Sequence, residues 1–346
     1  MTNPPGFYTR QEIASQPAAW QDTLDQIRAQ SGALRAFFTA GAYDQVFFTG
    51  CGSTYYLSMA AASSFQQLSR RPARAFPASE LWLNPRGSYP AAGKILLVAI
   101  SRSGLTSETL HACQTFLEAR RGDLITFSCY PDMPLAAMGQ LNLVLPAGAE
   151  TSIAQTRAFS SLFLASLAAS AVWAGRDDLL PSLNDLPQAC KRLLDSYALL
   201  ARQIGQDRQL DRFYFLGSGP RYGLACELSL KMKEMSLSHS EPFHFMEFRH
   251  GPKSMVTSST QIVGLLSEEN RERDRAVLDE MKAMGARVLA MGETQADVLF
   301  ASGLESAARD VLYLPVGQLI AFERSLSKGL DPDHPFQLDA VVKLAE

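Results

Sequence analysis

One local pattern occurs twice along this chain: a short apolar strand that stops in a glycine turn and runs directly into a helix rich in small residues. Val46-Phe-Phe-Thr-Gly-Cys-Gly52 is restated by Phe213-Tyr-Phe-Leu-Gly-Ser-Gly219. A repeat that returns after more than a hundred residues points to two copies of one structural plan. Length agrees, since 346 residues exceed what one ordinary core accommodates. Around the first copy, Lys94-Ile-Leu-Leu-Val-Ala-Ile100 reads as a strand buried on both faces, and further strands are expected at 124–129 and 141–145, with helices at 55–68 and 158–173. Around the second copy, strands are expected at 261–266, 287–290 and 311–314, with a helix at 273–284. Alternating strand and helix implies α/β domains with a parallel sheet covered on both faces. The expected division is an N-terminal helical segment at 1–40, read from the spacing of Trp20, Leu24, Ile27 and Leu34 and packed outside the first sheet. A first domain at 41–180, a helical linker at 181–206 and a second domain at 207–346 follow.

Composition narrows the class. Hydrophobic residues at 47% and charged residues at 19% describe a fully folded globular protein. A formal net charge of −3 gives no electrostatic reason to expect nucleic acid or an anionic membrane as partner. Cys51, Cys113, Cys129, Cys190 and Cys226 are odd in number and form no C-x-x-C pair, which argues against a zinc site or a disulfide framework and for a reducing compartment. Residues 1–21 lack the apolar core of a signal peptide, and no later run approaches about eighteen uninterrupted apolar residues. A cytoplasmic protein is expected.

In an open parallel sheet, ligands bind beyond the carboxyl ends of the strands. There Ser101, Ser103, Thr106 and Ser107 gather hydroxyls around Gly104 at a helix N-terminus, a place suited to a phosphate monoester. Plain helix capping explains the same residues equally well. Neither G-x-x-x-x-G-K-[ST] nor G-x-G-x-x-G is present, so nucleotide binding is disfavoured. A second constellation is Lys231 and Glu234, three apart on a helix and facing one side, as a catalytic pair or a solvent-facing ion pair would be. His239, His244 and His250 lack the i, i+4 register of zinc sites, so no metal is expected.

The segments Cys51-Gly-Ser-Thr54, Ser101-Arg-Ser-Gly104, Ala149-Glu-Thr-Ser-Ile-Ala-Gln-Thr-Arg-Ala158, Lys231-Met-Lys-Glu234 and Arg249-His-Gly-Pro252 give the chain from about residue 43 onward a specific resemblance. It resembles the double sugar-isomerase (SIS) domain family. The nearest groups are the isomerase half of glucosamine-6-phosphate synthase and the stand-alone amino-sugar-phosphate isomerases and deaminases. Phe248-Arg-His-Gly-Pro-Lys253 is similar to the tagatose-6-phosphate isomerase-like group among them. The resemblance implies two tandem three-layer αβα domains with flavodoxin-like parallel sheets, a phosphorylated amino sugar as ligand and no cofactor. It makes Ser101, Arg102, Ser103 and Thr106 the phosphate loop, and Cys51, Gly52, Ser53 and Thr54 the lining of the sugar cleft. Glu150, Ile153 and Gln155 match sugar-contacting positions, with Gln155 replacing a small hydroxyl residue. Glu234 matches the general base that moves a proton between C1 and C2, Lys231 assists at the C1 oxygen, and His250 helps open the ring. In relatives that histidine comes from the neighbouring subunit, so a homodimer is expected.

Two departures from the pattern matter. The synthase's glutaminase domain is not found in the sequence, so glutamine-dependent amide transfer is not expected. Ala340 stands where the synthase carries its Schiff-base lysine, and Lys343 lies three residues on. Either Lys343 substitutes for it, or no lysine imine forms and the substrate already carries nitrogen at C2, which favours a deaminase. A non-catalytic phosphosugar sensor and a fructosamine-6-phosphate deglycase are the competing readings. Retention of Glu234, Lys231 and His250 argues against the sensor.

Overall fold

A computed structural model describes residues 3–344. The first half runs α1 (Phe7–Ala14), α2 (Gln16–Gly41), β1 (Gln45–Gly50), α3 (Ser53–Ser69), β2 (Ala73–Pro77), β3 (Ile95–Ile100), α4 (Ser107–Glu118), β4 (Gly122–Ser128), β5 (Leu141–Val144) and α5 (Arg157–Ala174). The second runs α6 (Leu186–Gln206), β6 (Arg212–Leu216), α7 (Pro220–Ser236), β7 (His239–Phe243), β8 (Thr260–Leu265), α8 (Arg271–Ala283), β9 (Arg287–Gly292), the two-residue β10 (Val298–Leu299) and α9 (Leu314–Ser327). Short helical turns connect several of these. The chain divides into two compact units. The first-half unit holds residues 18–150, 157–184 and the tail from 339, and the second-half unit holds residues up to 17, 151–156 and 185–338.

The first-half unit is built on a parallel sheet of order β2-β1-β3-β4-β5. β3 is buried along its whole length, because helices cover both faces and each face needs an apolar side chain. Ile95, Leu97 and Ala99 point into a cluster with Phe47, Leu81, Phe116 and Leu135. On α2, Trp20 donates its indole N–H to Ser160 Oγ at 2.8 Å, and Phe38 stacks on Trp173 with ring centres 5.4 Å apart. α5 is long and apolar enough to cross a membrane, but 89% of that stretch is buried inside the protein, as a core helix is.

The second-half unit repeats the plan. Its sheet order is β10-β9-β8-β6-β7, which read from the other edge is the same second-first-third-fourth-fifth arrangement found in flavodoxin-like sheets. The glycine turns match in backbone detail as well. Gly52 has φ 54 and ψ −122, Gly219 has φ 60 and ψ −135, and residues with a Cβ are strongly disfavoured there. A Cβ on Gly50 would lie 2.5 Å from Thr54 Oγ1, and one on Gly217 would lie 2.3 Å from the Arg221 carbonyl.

The expected strand at 311–314 is corrected by the structure. Asp310–Tyr313 is a short 3-10 turn that leads into α9, and the fifth strand is Val298–Leu299 instead. The apolar run Val311-Leu-Tyr-Leu314 is fully buried, as a strand would be, yet Pro315 opens a helix whose apolar residues continue to Ile320 and Phe322. Strands β2 and β7 were not expected. They hold Arg74 and Pro77, and Glu241 and Pro242, residues that suit the less buried positions near a sheet's edge and break the apolar run used to find strands.

Candidate active site

In the first-half unit the sheet order reverses between β1 and β3, which opens a crevice at their carboxyl ends. From β3 the chain enters a tight turn around Gly104, whose φ is 67. Ser101 Oγ accepts the Gly104 amide at 3.2 Å, Ser103 Oγ accepts the Leu105 amide at 3.2 Å, and the Ser101 and Thr106 hydroxyls lie 3.4 Å apart. Thr106 precedes α4 without capping it through its side chain. The hydroxyls therefore shape the turn rather than the helix end, and Ser103, together with whichever of Ser101 and Thr106 does not donate to the other, retains an O–H that can be donated to an anion. Across the crevice, Thr54 Oγ1 accepts the Cys51 amide at 3.0 Å, so this hydroxyl fixes the glycine turn. The Cys51 thiol lies 3.4 Å from Thr109 Oγ1, and burial pushes its pKa up to about 11.

Arg102 and Glu150, both expected to meet the ligand, meet each other. The Arg102 guanidinium lies 3.5 Å from the Glu150 carboxylate, both side chains almost wholly buried, and it donates to the Ala340 carbonyl at 3.2 Å. The tail continues along this turn, with the Ser107 amide donating to the Val342 carbonyl at 3.4 Å and the Leu344 amide to Ser107 Oγ at 3.2 Å. Lys343 is exposed on that tail, in the unit that holds the serine turn.

In the second-half unit, α7 carries Glu227, Lys231 and Glu234 at i, i+4 and i+7, one stripe on one face. The Lys231 ammonium is completely buried, 2.5 Å from Glu234 and 3.3 Å from Glu227. Burial pulls its pKa down, but the Glu227 and Glu234 carboxylates more than offset this and hold it above the ordinary lysine value. A solvent-facing ion pair is thereby excluded. Glu227 is fully buried while the Glu234 side chain is 20% exposed, so Glu234 is the member of the stripe that a solute can reach. Glu227 was missed in the sequence, although its place four residues before Lys231 is the signal that finds it.

His250 is exposed in the turn after Glu247–Arg249, where Arg249 and Lys253 both anchor to Glu280 at 2.6 and 2.8 Å. Among the described residues it has no hydrogen bond or ion pair to the α7 stripe. His244 stacks on Tyr222 with ring centres 3.8 Å apart, and His239 lies 3.9 Å from Glu241. Ile153 and Gln155 lie in the segment that groups with the second-half unit, apart from Glu150, and the buried Gln155 amide oxygen has no hydrogen-bond partner among the described residues. A groove of about 860 Å³ along α3 and β2, lined by Tyr55, Gln66, Arg70 and Arg74, contains none of the candidate residues.

The corresponding crevice of the second sheet, beyond β6 and β8, is filled from within. Arg221 donates to Asp310 at 2.7 Å and lies 3.3 Å from Glu269, while Asp274 accepts both the Ser267 amide and its hydroxyl at 3.0 Å. Internal carboxylates thus occupy the Arg221 and Ser267 donors there.

Among curated proteins, the chain is 27% identical over 356 residues to a glutamine–fructose-6-phosphate aminotransferase (isomerizing) of Chlamydia pneumoniae, covering 96% of this chain and 58% of that relative. It is 28% identical to the enzyme of that description from Methanothermobacter thermautotrophicus, covering 94% of this chain and 56% of the relative. The chain therefore spans less than three fifths of the length of these relatives. Among solved structures, a glucosamine-6-phosphate deaminase from Thermotoga maritima superimposes with a TM-score of 0.78 at 27% identity, over 93% of this chain and all of that one. A tagatose-6-phosphate ketose/aldose isomerase from Escherichia coli shares the fold with a TM-score of 0.84 at 24% identity, over 97% of this chain and all of that one. The SIS domain model matches residues 42–172 and 208–306, which are the two copies of the sheet, and the chain belongs to the SIS domain family.

Proposed function

We propose that this chain is a phosphosugar aldose–ketose isomerase and, more narrowly, an isomerising deaminase of a 2-amino-2-deoxyhexose 6-phosphate. The observation that carries the reading is the buried Lys231 ammonium between two carboxylates, with Glu234 at the accessible end of the stripe. Glu234 takes the proton from C2 of the open-chain aldose to give a 1,2-enolamine and returns it to C1, as one carboxylate can when held over both carbons. Lys231, which the resemblance assigns to the C1 oxygen, lies buried 2.5 Å behind Glu234, where it orients that carboxylate and lends positive charge near the reacting carbons. The product is a ketose imine. Water adds to it and ammonia leaves, giving the ketose 6-phosphate, and no lysine imine is needed. The Ser101, Ser103 and Thr106 hydroxyls hold the phosphate. The names of the relatives support this substrate class, since they include a glucosamine-6-phosphate deaminase and isomerizing fructose-6-phosphate aminotransferases.

A homodimer is part of the proposal, with the exposed His250 presented to a neighbouring copy for ring opening. All five cysteines are unpaired, which suits the reducing cytoplasm. The test is an assay of purified protein with glucosamine 6-phosphate and galactosamine 6-phosphate, followed by proton NMR in deuterated water. Ammonia release with deuterium entering at C1 is expected, together with its loss in Glu234→Gln while sugar binding persists. Binding without exchange would instead favour a sensor.

A further inference from the structure

The 151–156 segment has no regular secondary structure beyond bends, yet three successive backbone amides in it are committed. Glu12 of α1 accepts the Thr151 amide at 2.6 Å and the Ser152 amide at 3.2 Å through one oxygen, and the Ser152 hydroxyl through the other. The Ile153 amide donates to the Asp333 carbonyl at 3.1 Å. Farther along, Gln318 on α9 donates to the Thr156 carbonyl at 3.1 Å. Asp333 in turn holds α1 in place. Its carboxylate accepts the Tyr8 amide at 3.0 Å and both the amide and the hydroxyl of Thr9 at 2.7 Å. Asp331 accepts the Gly6 amide at 2.9 Å and the Asp333 amide at 3.1 Å. All of these residues lie in the second-half unit.

We propose that Glu12 and Asp333 are positioning residues for the substrate loop, so that α1 forms part of the binding machinery although it lies outside the matched family segments. The inference rests on the functional reading above and on the resemblance by which Ile153 and Gln155 match sugar-contacting positions. Glu12 is 4% exposed and Asp333 equally buried. Burying carboxylates is costly, and anchoring a helix alone is achieved with less by apolar contacts. The Glu12 carboxylate receives the consecutive Thr151 and Ser152 N–H groups, as no apolar side chain can, which fixes the loop backbone before a ligand arrives, and the Asp333 carboxylate receives those of Tyr8 and Thr9 and so holds the helix that carries Glu12. A loop set in its binding geometry loses less freedom on binding.

The test uses the full chain, with hydrogen exchange of individual amides, glucosamine 6-phosphate kinetics and calorimetric binding of the same sugar. Glu12→Ala is expected to speed exchange at residues 151–153 and to raise KM by about tenfold while kcat changes much less, the size of effect that losing charge-assisted hydrogen bonds produces. Glu12→Gln keeps an accepting oxygen and is expected to restore much of both, whereas a change in fold would alter exchange throughout. Asp333→Asn keeps one accepting oxygen and is expected to free either the Tyr8 amide or the Thr9 amide, not both, and to raise KM in the same direction by less. If Glu12→Ala fails to fold, Glu12→Gln and Asp333→Asn decide the matter through the same readouts. Faster exchange at 151–153 with KM unchanged overturns the inference, as does unchanged exchange. Wild-type protein that neither binds nor converts the sugar overturns the functional reading instead, and the exchange rates then decide the clasp by themselves.

Discussion

The Lys231 ammonium and the Glu234 carboxylate lie 2.5 Å apart, the lysine wholly buried and the glutamate open to solvent at one edge. The pair is asymmetric: one partner is fixed in the interior and the other can reach a substrate. Glu227 on the far side of the lysine completes the charge balance. Removing the cation should therefore be more damaging than the usual loss of a helix-surface pair. Lys231→Met leaves two carboxylates facing each other, one of them buried, and is expected to cost about 3 to 5 kcal/mol in urea unfolding. Adding Glu227→Gln should recover part of it. Because the folded protein holds the lysine above its ordinary value, its contribution is fully present below that value and is lost only as pH climbs through the higher one. The deficit of Lys231→Met should accordingly be flat from about pH 6 to 9.

Ser103 combines a shaping bond to the Leu105 amide with an O–H left for a ligand. Ser103→Ala is expected to weaken phosphosugar binding by about 1.5 to 3 kcal/mol, the range for a hydrogen bond to a charged group. Titration calorimetry with wild type and variant measures it, and equal affinities would move the phosphate elsewhere.

The Gln155 amide oxygen, without a hydrogen-bond partner among the described residues, separates a structural role from a functional one. A buried acceptor without a donor is a liability to the free protein, so Gln155→Leu should leave thermal stability unchanged or raise it slightly. If the oxygen receives a hydrogen bond from the sugar, the same variant loses affinity. Opposite signs in a melting curve and a binding isotherm are the expected result.

Cys51 sits in the glycine turn beside the proposed cleft, with a thiol pushed up to about 11 by burial. A raised thiol pKa means the protonated form dominates at neutral pH, so alkylation by iodoacetamide should be slow at about pH 8 and accelerate steeply toward that higher value. Mass spectrometry of the modified peptide reads it out, and rapid labelling at pH 8 would contradict the buried setting.

Much of the fold was legible because a few positions admit little choice. Gly50, Gly52, Gly217 and Gly219 occupy places where a Cβ is excluded sterically or conformationally, and β3 is apolar throughout because both its faces are covered. Strands β2 and β7 escaped notice because proline and charged residues interrupt their pattern, and the 311–314 run was misread because complete burial erases the difference between strand and helix periods. At the site, the Lys231 and Glu234 pairing follows from helix geometry alone. The Arg102 to Glu150 contact does not, since it joins loops after different strands. The clasp at Asp333 was beyond reach for a plainer reason: Thr9 and Asp333 are separated by 324 residues, and no local pattern encodes a meeting at that distance.

The filled crevice of the second sheet has a thermodynamic corollary. There Asp274 and Asp310 are tethered to the chain, so the donors they satisfy are saturated at any solute concentration. Among the described residues the Ser103 hydroxyl of the first copy meets no comparable carboxylate, and under the proposed function the local free energy of the serine turn depends on how much ligand is present. On the proposed function, the duplication leaves one copy whose stability is independent of solutes and another whose stability rises with the concentration of its sugar phosphate.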